Sequence, residues 1–287
     1  MSFERRIIEL TFTKGVGTFA ESKTDRLTVS GLRVQCNIIN VGGIQMGQAQ
    51  LRIYGLTLSQ MNDLSALNGG FMVQRKIGLQ IKAGVANAMN LVFDGQITLG
   101  RIDLNSVPDS TLVVVAQAGI LQALQVATPT SYPAGTDHLT VMKNLATQMG
   151  LSFEGNGTPI PLSKPYYPGT LRDQAMRCAD AAGVNWTIIN GTLIVWPRYG
   201  VRASGANGVP VVSPDTGMVG YPSYSDIGIA ITTLFNPFIR LGQLVTVKSS
   251  LPFANGSWGA FYIHHELESE IPGAKWFTHF DGQPYVQ

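Results

Sequence analysis

The C-terminal part of the chain repeats the order of elements found at the end of its first third. In the front copy, the strand-like run Leu79-Gln80-Ile81-Lys82 leads into a loop, Ala83 to Asn90. A long alternating stretch from Leu91 to Leu104 follows, then a proline turn around Pro108 and a strand from Thr111 to Gln117. In the back copy, Leu244 to Lys248 is strand-like and Ser249 to Trp258 is a loop. Gly259 to Glu268 alternates, Pro272-Gly273 turns, and Lys275 to Phe280 closes the set. Lys82 and Lys248, like Pro108 and Pro272, are offset by nearly the same number of residues. Identity between the copies is slight, so the repeat is one of order. It implies one chain carrying two copies of one β module; a ring of three such chains would then present six similar modules.

The rest of the chain fits around that repeat. Ile7-Glu-Leu-Thr-Phe-Thr, Leu27-Thr-Val-Ser, Leu32 to Ile38 and Gln48 to Tyr54 alternate as strands do. One helix is expected between Thr57 and Leu67, with Leu58, Met61, Leu64 and Leu67 on one face and Asn68-Gly69-Gly70 as its stop. After Ala118 the period changes. Asp137 or Thr140 caps a helix to Met149, with Val141, Leu145 and Met149 inward and Gly150 ending it. A Gly/Pro-rich loop covers Gly155 to Gly169. Thr170 then starts a second helix, with Asp173 as the partner in a capping box, an apolar face of Leu171, Ala175, Cys178, Ala179 and Ala182, and a stop at Gly183. Trp186 to Trp196 reads as a type I′ hairpin around Asn190-Gly191. Tyr199 to Val209 is a linker, and β patterning resumes from Val211 to Phe280. The expected fold is therefore mainly β with a small α+β insert: a β domain at 1–118, a helix–helix–hairpin insert at 119–200, and a second β domain at 201–287. Closed antiparallel barrels are the simplest form for the β domains, because closure removes open strand edges.

Charged residues make up only 13% of the chain, about half the usual share of roughly 25%. A compact β protein with large faces buried in neighbouring subunits explains this better than a monomeric enzyme does. The net charge of +2 provides no electrostatic footprint for duplex DNA. Cys36 and Cys178 are too few for a disulfide framework and read as two reduced thiols, Cys178 on a helix face. Arg5-Arg6 is not followed by the apolar run of a secretory signal, and Leu112 to Ala116 is too short to span a bilayer. Synthesis in a cytosol follows, and the sequons at Asn156, Asn185, Asn190 and Asn255 carry little weight.

Catalytic signatures are missing: there is no phosphate-binding Gly-x-x-x-x-Gly-Lys-Ser/Thr, no Gly-x-Ser-x-Gly, no His-Glu-x-x-His and no Cys-x-x-Cys. Gly15-Val16-Gly17 reads as a plain turn. A two-residue turn at Pro272-Gly273 would set Glu266 opposite His279 and His264 opposite Asp281, on one strand face, where they could hold a zinc-like ion. That register is the whole support for the idea, and satisfied polar side chains outweigh it. Glu154, Glu266, Glu268 and Glu270 offer carboxylates, but nothing marks an acid–base pair flanking a cleft. Trp186 and Trp196 pack the insert, and Tyr166-Tyr167 reads as a surface contact rather than a base-stacking platform. No catalytic, cofactor-binding or metal residue is assigned.

The C-terminal segment carries a resemblance. It contains Thr216-Gly-Met-Val-Gly-Tyr-Pro222, Thr233-Leu-Phe-Asn236-Pro237-Phe-Ile-Arg-Leu-Gly242, Tyr262-Ile-His264-His265-Glu-Leu and Pro272-Gly-Ala-Lys-Trp276-Phe-Thr278. This resembles the second barrel of baseplate hub proteins of contractile-tailed bacteriophages. Leu51-Arg-Ile-Tyr-Gly-Leu-Thr57, Ile81-Lys-Ala-Gly84 and Phe93-Asp-Gly95-Gln-Ile97 resemble the first, tube-like barrel. The resemblance implies two tube-like antiparallel β-barrels related by internal duplication, a homotrimer with pseudo-six-fold symmetry, and no enzyme activity. It also implies contacts with the hexameric tail tube protein, a trimeric spike protein, other baseplate proteins and the tape-measure protein, around the channel for genome ejection. The expected location is the virion, after synthesis and assembly in the bacterial host cytoplasm. With the chain ending at Gln287, spike or lysozyme domains are expected on separate chains. His264 and His265 match a histidine position of the family pattern, which argues against an ion there. A carbohydrate- or receptor-binding β protein of the tail is the alternative, and a metal-dependent hydrolase a more distant one.

Overall fold

A computed structural model describes residues 4–65, 76–105, 109–203, 208–224 and 227–285. Leu67, Asn68-Gly69-Gly70 and Pro108 lie outside the described residues, as does part of the linker. The chain opens with β1 (Ile7–Thr13), β2 (Arg26–Ser30), β3 (Val34–Val41), β4 (Gln48–Tyr54), α1 (Leu58–Leu64), β5 (Gly78–Val85), β6 (Ala88–Asp103) and β7 (Thr111–Gln117). Then come α2 (Ile120–Leu124), β8 (Thr130–Ser131), α3 (His138–Met149), β9 (Ser152–Gly155), β10 (Tyr166–Tyr167), α4 (Leu171–Ala182), β11 (Val184–Ile189) and β12 (Thr192–Pro197). The last elements are β13 (Val211–Val212), β14 (Met218–Tyr224), β15 (Ile229–Leu234), β16 (Leu244–Val247), β17 (Gly256–Ser269) and β18 (Trp276–Pro284). The chain is mainly β, and among the described residues its long helices, α3 and α4, lie between β8 and β11. Two compact units divide it. The first holds Met1–Ile39, Gly47–Ala118 and His264–Phe277; the second holds Asn40–Met46, Gly119–Ile263 and Thr278–Gln287.

In the first unit the strand order is β3-β4-β7-β6-β5-β1-β2, with every one of these neighbours antiparallel. The His264–Ser269 part of β17 lies beside β3. Side chains alternate faces, so every second residue points inward. Ile8, Leu10 and Phe12, then Val34, Cys36 and Ile38, then Leu112, Val114 and Ala116 are each at most 1% exposed. Among the described residues α1 is the only helix of this unit. One short helix cannot cover a face of that size, so most of that core is made by side chains of the sheet itself.

Helix α1 begins with a capping box. Thr57 Oγ1 accepts from the Gln60 N–H (3.1 Å), and Gln60 Oε1 accepts from the Thr57 N–H (3.2 Å). Met61 and Leu64 are buried, but Leu58 is 59% exposed. The expected apolar face is thus shorter than its i, i+3 spacing implies, because the helix stops at Leu64 and Ser65 is already extended. The expected loop Ala83 to Asn90 is also corrected. Val85 pairs with Ala88, so the connection is a tight hairpin turning at Ala86-Asn87. Small residues read as a loop, yet here they are what allow β5 and β6 to run close together.

The second unit holds the insert and the C-terminal strands. Asp137 caps α3, its Oδ1 accepting from the Thr140 N–H (2.9 Å), and Gly150 closes that helix. Thr170 and Asp173 form the capping box of α4, which ends at Gly183. Asn190 (φ 49) and Gly191 (φ 72) both take the positive φ of a type I′ turn, with Ile189 opposite Thr192. Strand β9, parallel to β12, was not expected; four residues after a glycine stop give too short a pattern to read. The hairpin β11–β12 has two working faces. Trp186, Ile188, Leu193 and Val195 pack into one core with α3 and α4. Ile194 and Trp196 point the other way, into a core with Val245, Val247, Ala260, Ile263 and Phe280. The hairpin is the common wall of both cores, which is why insert and C-terminal strands form one unit.

The C-terminal strands run β14-β15-β18-β17-β16, with β13 parallel to β16. This has the same form as β3-β4-β7-β6-β5. In both sets, five strands consecutive in the chain take the spatial order first, second, fifth, fourth, third. The correspondence extends the repeat seen in the sequence by two strands, β3–β4 with β14–β15.

Candidate functional site

The hairpin β17–β18 carries the residues that sequence spacing singled out, and its register differs from the expected one. The Pro272-Gly273 turn is present: the Ala274 N–H donates to the Ile271 carbonyl (3.2 Å) and Gly273 has φ 70. A Pro-Gly turn of this kind splays antiparallel strands instead of matching their twist. Glu270 absorbs the mismatch in a left-handed conformation (φ 56), and the Glu268 N–H then donates to the Lys275 carbonyl (2.8 Å). Next to the turn Glu268 is thereby bonded to Lys275, where a two-residue turn alone would set Phe277 opposite it, and Asp281 acts electrostatically on Tyr262. Burial raises the pKa of that Asp281 carboxyl.

Each named side chain has its own local role. His264 Nε2 is 3.1 Å from Asn37 Oδ1, and His279 Nδ1 is 2.9 Å from Thr232 Oγ1. Lys275 Nζ donates to Glu266 (2.6 Å), while Glu268 accepts from Gln35 (3.2 Å) and from the Lys275 N–H (3.0 Å). Glu270 pairs with Arg5 (2.7 Å). Among the described residues no three His, Cys, Asp or Glu side chains stand where they could hold a metal ion. Gln35, Asn37, Gln50, Arg52, Glu266 and Lys275 line an open groove of about 400 Å³ in the first unit. Within it Gln35 bonds to Glu268, Asn37 to His264 and Lys275 to Glu266, an arrangement suited to polar contact with another surface.

Other expectations resolve residue by residue. Tyr166 is 61% exposed, but Tyr167 is buried, because neighbouring strand residues face opposite ways. Trp186 and Trp196 are both buried and Cys36 and Cys178 are free, buried thiols. Burial pushes the Cys178 thiol up to about 12, far from reactive thiolate character. Glu154 is held by Arg202 through two parallel bonds, 2.9 and 2.8 Å. Burial raises its pKa, but the hydrogen bonds from Arg202 and Asn156 outweigh that and leave it below the usual value. Sequence reasoning missed Arg202 altogether, since a lone arginine in a linker carries no periodic signal.

His138 stands apart. Its side chain is buried, Nδ1 accepts from the Ile160 N–H (3.1 Å), and Nε2 has no hydrogen-bond partner. The proton therefore sits on Nε2. Burial lowers its pKa below 6.5, against smaller opposing effects of the Ile160 bond and Asp137. The unfolded chain then binds this proton more readily than the folded one, so its contribution is complete above pH 6.5 and shrinks as pH falls below it. The melting temperature of the second unit is expected to drop between pH 7 and 5, and His138→Gln is expected to flatten that slope in a calorimetric pH series.

No helix of the described residues is long and apolar enough to cross a membrane. The described residues thus form a β-rich framework in a chain poor in charge. The chain belongs to the baseplate hub gp41 family, whose sequence model matches residues 7–275. It is therefore a structural component of a phage tail baseplate. Among solved structures it is similar to a tail protein from Neisseria meningitidis MC58, with TM-score 0.64, 12% identity and 96% of each chain covered. It is also similar to the 43 kDa tail protein of prophage MuSo2 from Shewanella oneidensis, with TM-score 0.61, 10% identity, and 96% of this chain and 97% of that one covered. A third is the E. coli c3393 protein, described as a type VI secretion component similar to the T4 tail proteins gp27 and gp5. Its TM-score is 0.59 at 9% identity, with 89% of this chain and 74% of that one covered. At such identities the likeness is one of fold. No curated protein matches the sequence.

Proposed function

We propose that three copies of this chain form a ring that joins a hexameric tail tube to a trimeric spike around the ejection channel. The observation that carries this reading is the repeated strand order, β3-β4-β7-β6-β5 and β14-β15-β18-β17-β16. A trimer of chains with two like modules presents six like surfaces on one side and keeps three-fold symmetry on the other. Descent of both modules from one ancestor is part of the proposal, as are the segments 1–118, 119–200 and 201–287 as its building blocks. The type VI secretion protein described as similar to gp27 and gp5 supports the same setting. In this reading the protein works by assembly, without catalysis, cofactor or sequence-specific nucleic-acid binding. It contacts tube, spike, other baseplate proteins and the tape measure after assembly in the host cytoplasm. Light scattering behind size exclusion tests it. The expected result is three times the 30.9 kDa chain mass, alone or on mixing with the spike. A monomer under both conditions rejects the ring.

A further inference from the structure

The first residue of α3, His138, is tied to a strap formed by residues 156–163. Gly157, Thr158, Pro159, Ile160 and Pro161 are exposed, while Leu162 is buried in the core that also holds Val141, Leu145 and Tyr167. The strap is fastened on both sides of Ile160. The His138 backbone N–H donates to the Ile160 carbonyl (3.0 Å), and the Ile160 N–H donates to His138 Nδ1 (3.1 Å). The Leu162 N–H donates to the Thr136 carbonyl (2.9 Å), and the Gly135 N–H to the Leu162 carbonyl (2.9 Å). Pro159 and Pro161 have no N–H, so the Ile160 N–H is the one backbone donor of that tripeptide. Its acceptor is the imidazole.

A neutral imidazole fits this place and an imidazolium does not. Nδ1 faces an N–H, so a proton there sets two donors against each other. Nε2 is buried with no acceptor among the described residues, and the whole residue is 1% exposed, so a charge on the ring would find neither water nor a second hydrogen bond. The first turn of a helix is also the positive end of its dipole. The surrounding groups leave His138 as the one that changes between pH 7 and 5. Asp137, the cap of α3, is the charged group that acts on it, and the hydrogen bonds from Thr140 keep that carboxyl ionised well below this range. Cys178 of α4 has its Sγ 4.0 Å from the His138 carbonyl oxygen, and Tyr167 of β10 bonds to Cys178. Both stay protonated, since burial raises their pKa values. Residues 156–163 carry no titratable side chain.

We propose that the 156–163 strap is an acid-operated latch: a proton on His138 Nδ1 breaks the bond to Ile160, lifts the strap and uncovers the core around Leu162. Once the strap is open the ring returns to water and to its ordinary 6.5, so the closed form is fully favoured above that value and progressively less below it. Hydrogen exchange on the full chain tests this, read by mass spectrometry at pH 7 and pH 5 and corrected for the intrinsic pH dependence of exchange. Protection of the Ile160 and Leu162 amides should fall about ten-fold, while that of the β11–β12 hairpin stays unchanged. His138→Asn, whose amide oxygen can accept from Ile160 but does not titrate, should abolish the fall. Equal falls in both proteins overturn the proposal, as does a wild-type strap that keeps its protection at pH 5. If the variant fails to fold, ring-labelled histidine in the wild-type chain decides the matter by NMR. A His138 ring that gains its proton as strap protection is lost supports the latch. A ring that protonates with the strap closed, or stays neutral while the strap opens, overturns it.

Discussion

Alanine at position 84 is expected to destabilise the first unit by at least about 3 kcal/mol, whereas alanine at position 17 is expected to cost only about 1 kcal/mol. Both glycines have positive φ, +155 and +80, but their surroundings differ. A methyl group on Gly84 would run into the Ala88 carbonyl oxygen, with the carbonyl carbon at 3.0 Å and Met89 Cα at 3.2 Å. Those are backbone atoms of the adjacent strand and cannot swing away as a side chain can. Gly84 also faces Ile7 across the other ladder, so relief in one direction breaks the pairing of β1, β5 or β6. Around Gly17 nothing lies within 4 Å, so only the backbone conformation is strained. Against a typical total stability of about 5–15 kcal/mol, the first change removes a large share. Urea titrations of both variants check this. Equal shifts in midpoint would show that β5 and β6 do not approach as closely as described.

That glycine also marks where the sequence was readable and where it was not. Alternation such as Val34, Cys36, Ile38 states which face is inward, because one period of two fixes every side chain of a strand. Helix stops were legible at Gly150 and Gly183 for the same local reason, and Asn190-Gly191 named its own turn. The order of β5, β6 and β7 against β16, β17 and β18 was visible, but the matching pair β3–β4 and β14–β15 was not. Spatial order is set by ladders between distant segments, and Met218 to Tyr224 is too irregular to read as a strand. The hairpin at Pro272-Gly273 shows a sharper limit. The turn residues were read correctly, yet one left-handed residue, Glu270, changed the pairing next to the turn.

The pair Arg202–Glu154 is expected to show a marked asymmetry: Glu154→Gln should cost about 2–4 kcal/mol and Arg202→Met about 1–2 kcal/mol. The Arg202 side chain is 6% exposed and that of Glu154 is 38% exposed. Arg202 also donates from Nη1 to the Leu241 carbonyl (2.9 Å), and its backbone N–H donates to the Gly242 carbonyl (2.7 Å). It thereby ties β9 of the insert to the turn before β16, inside the second unit. Replacing the carboxylate by an amide leaves a cation in a site with little water, satisfied only by the Leu241 carbonyl and one neutral amide oxygen. Removing the guanidinium instead leaves a carboxylate that water can still reach and that Asn156 Nδ2 continues to hold at 3.0 Å. Partial exposure of Glu154 screens the pair, which is why the larger figure stays below the full cost of breaking a buried ion pair. The stabilisation has a sign in pH as well. The folded pKa of Glu154 lies below its ordinary 4.5, so the contribution is complete above that value and fades as pH falls through the folded one. A double-mutant cycle by urea unfolding at pH 7 and pH 4 reads both effects. The coupling energy should shrink at the lower pH. A costlier Arg202→Met than Glu154→Gln would mean that packing of the arginine stem against Gly242, not its charge, holds the linker in place.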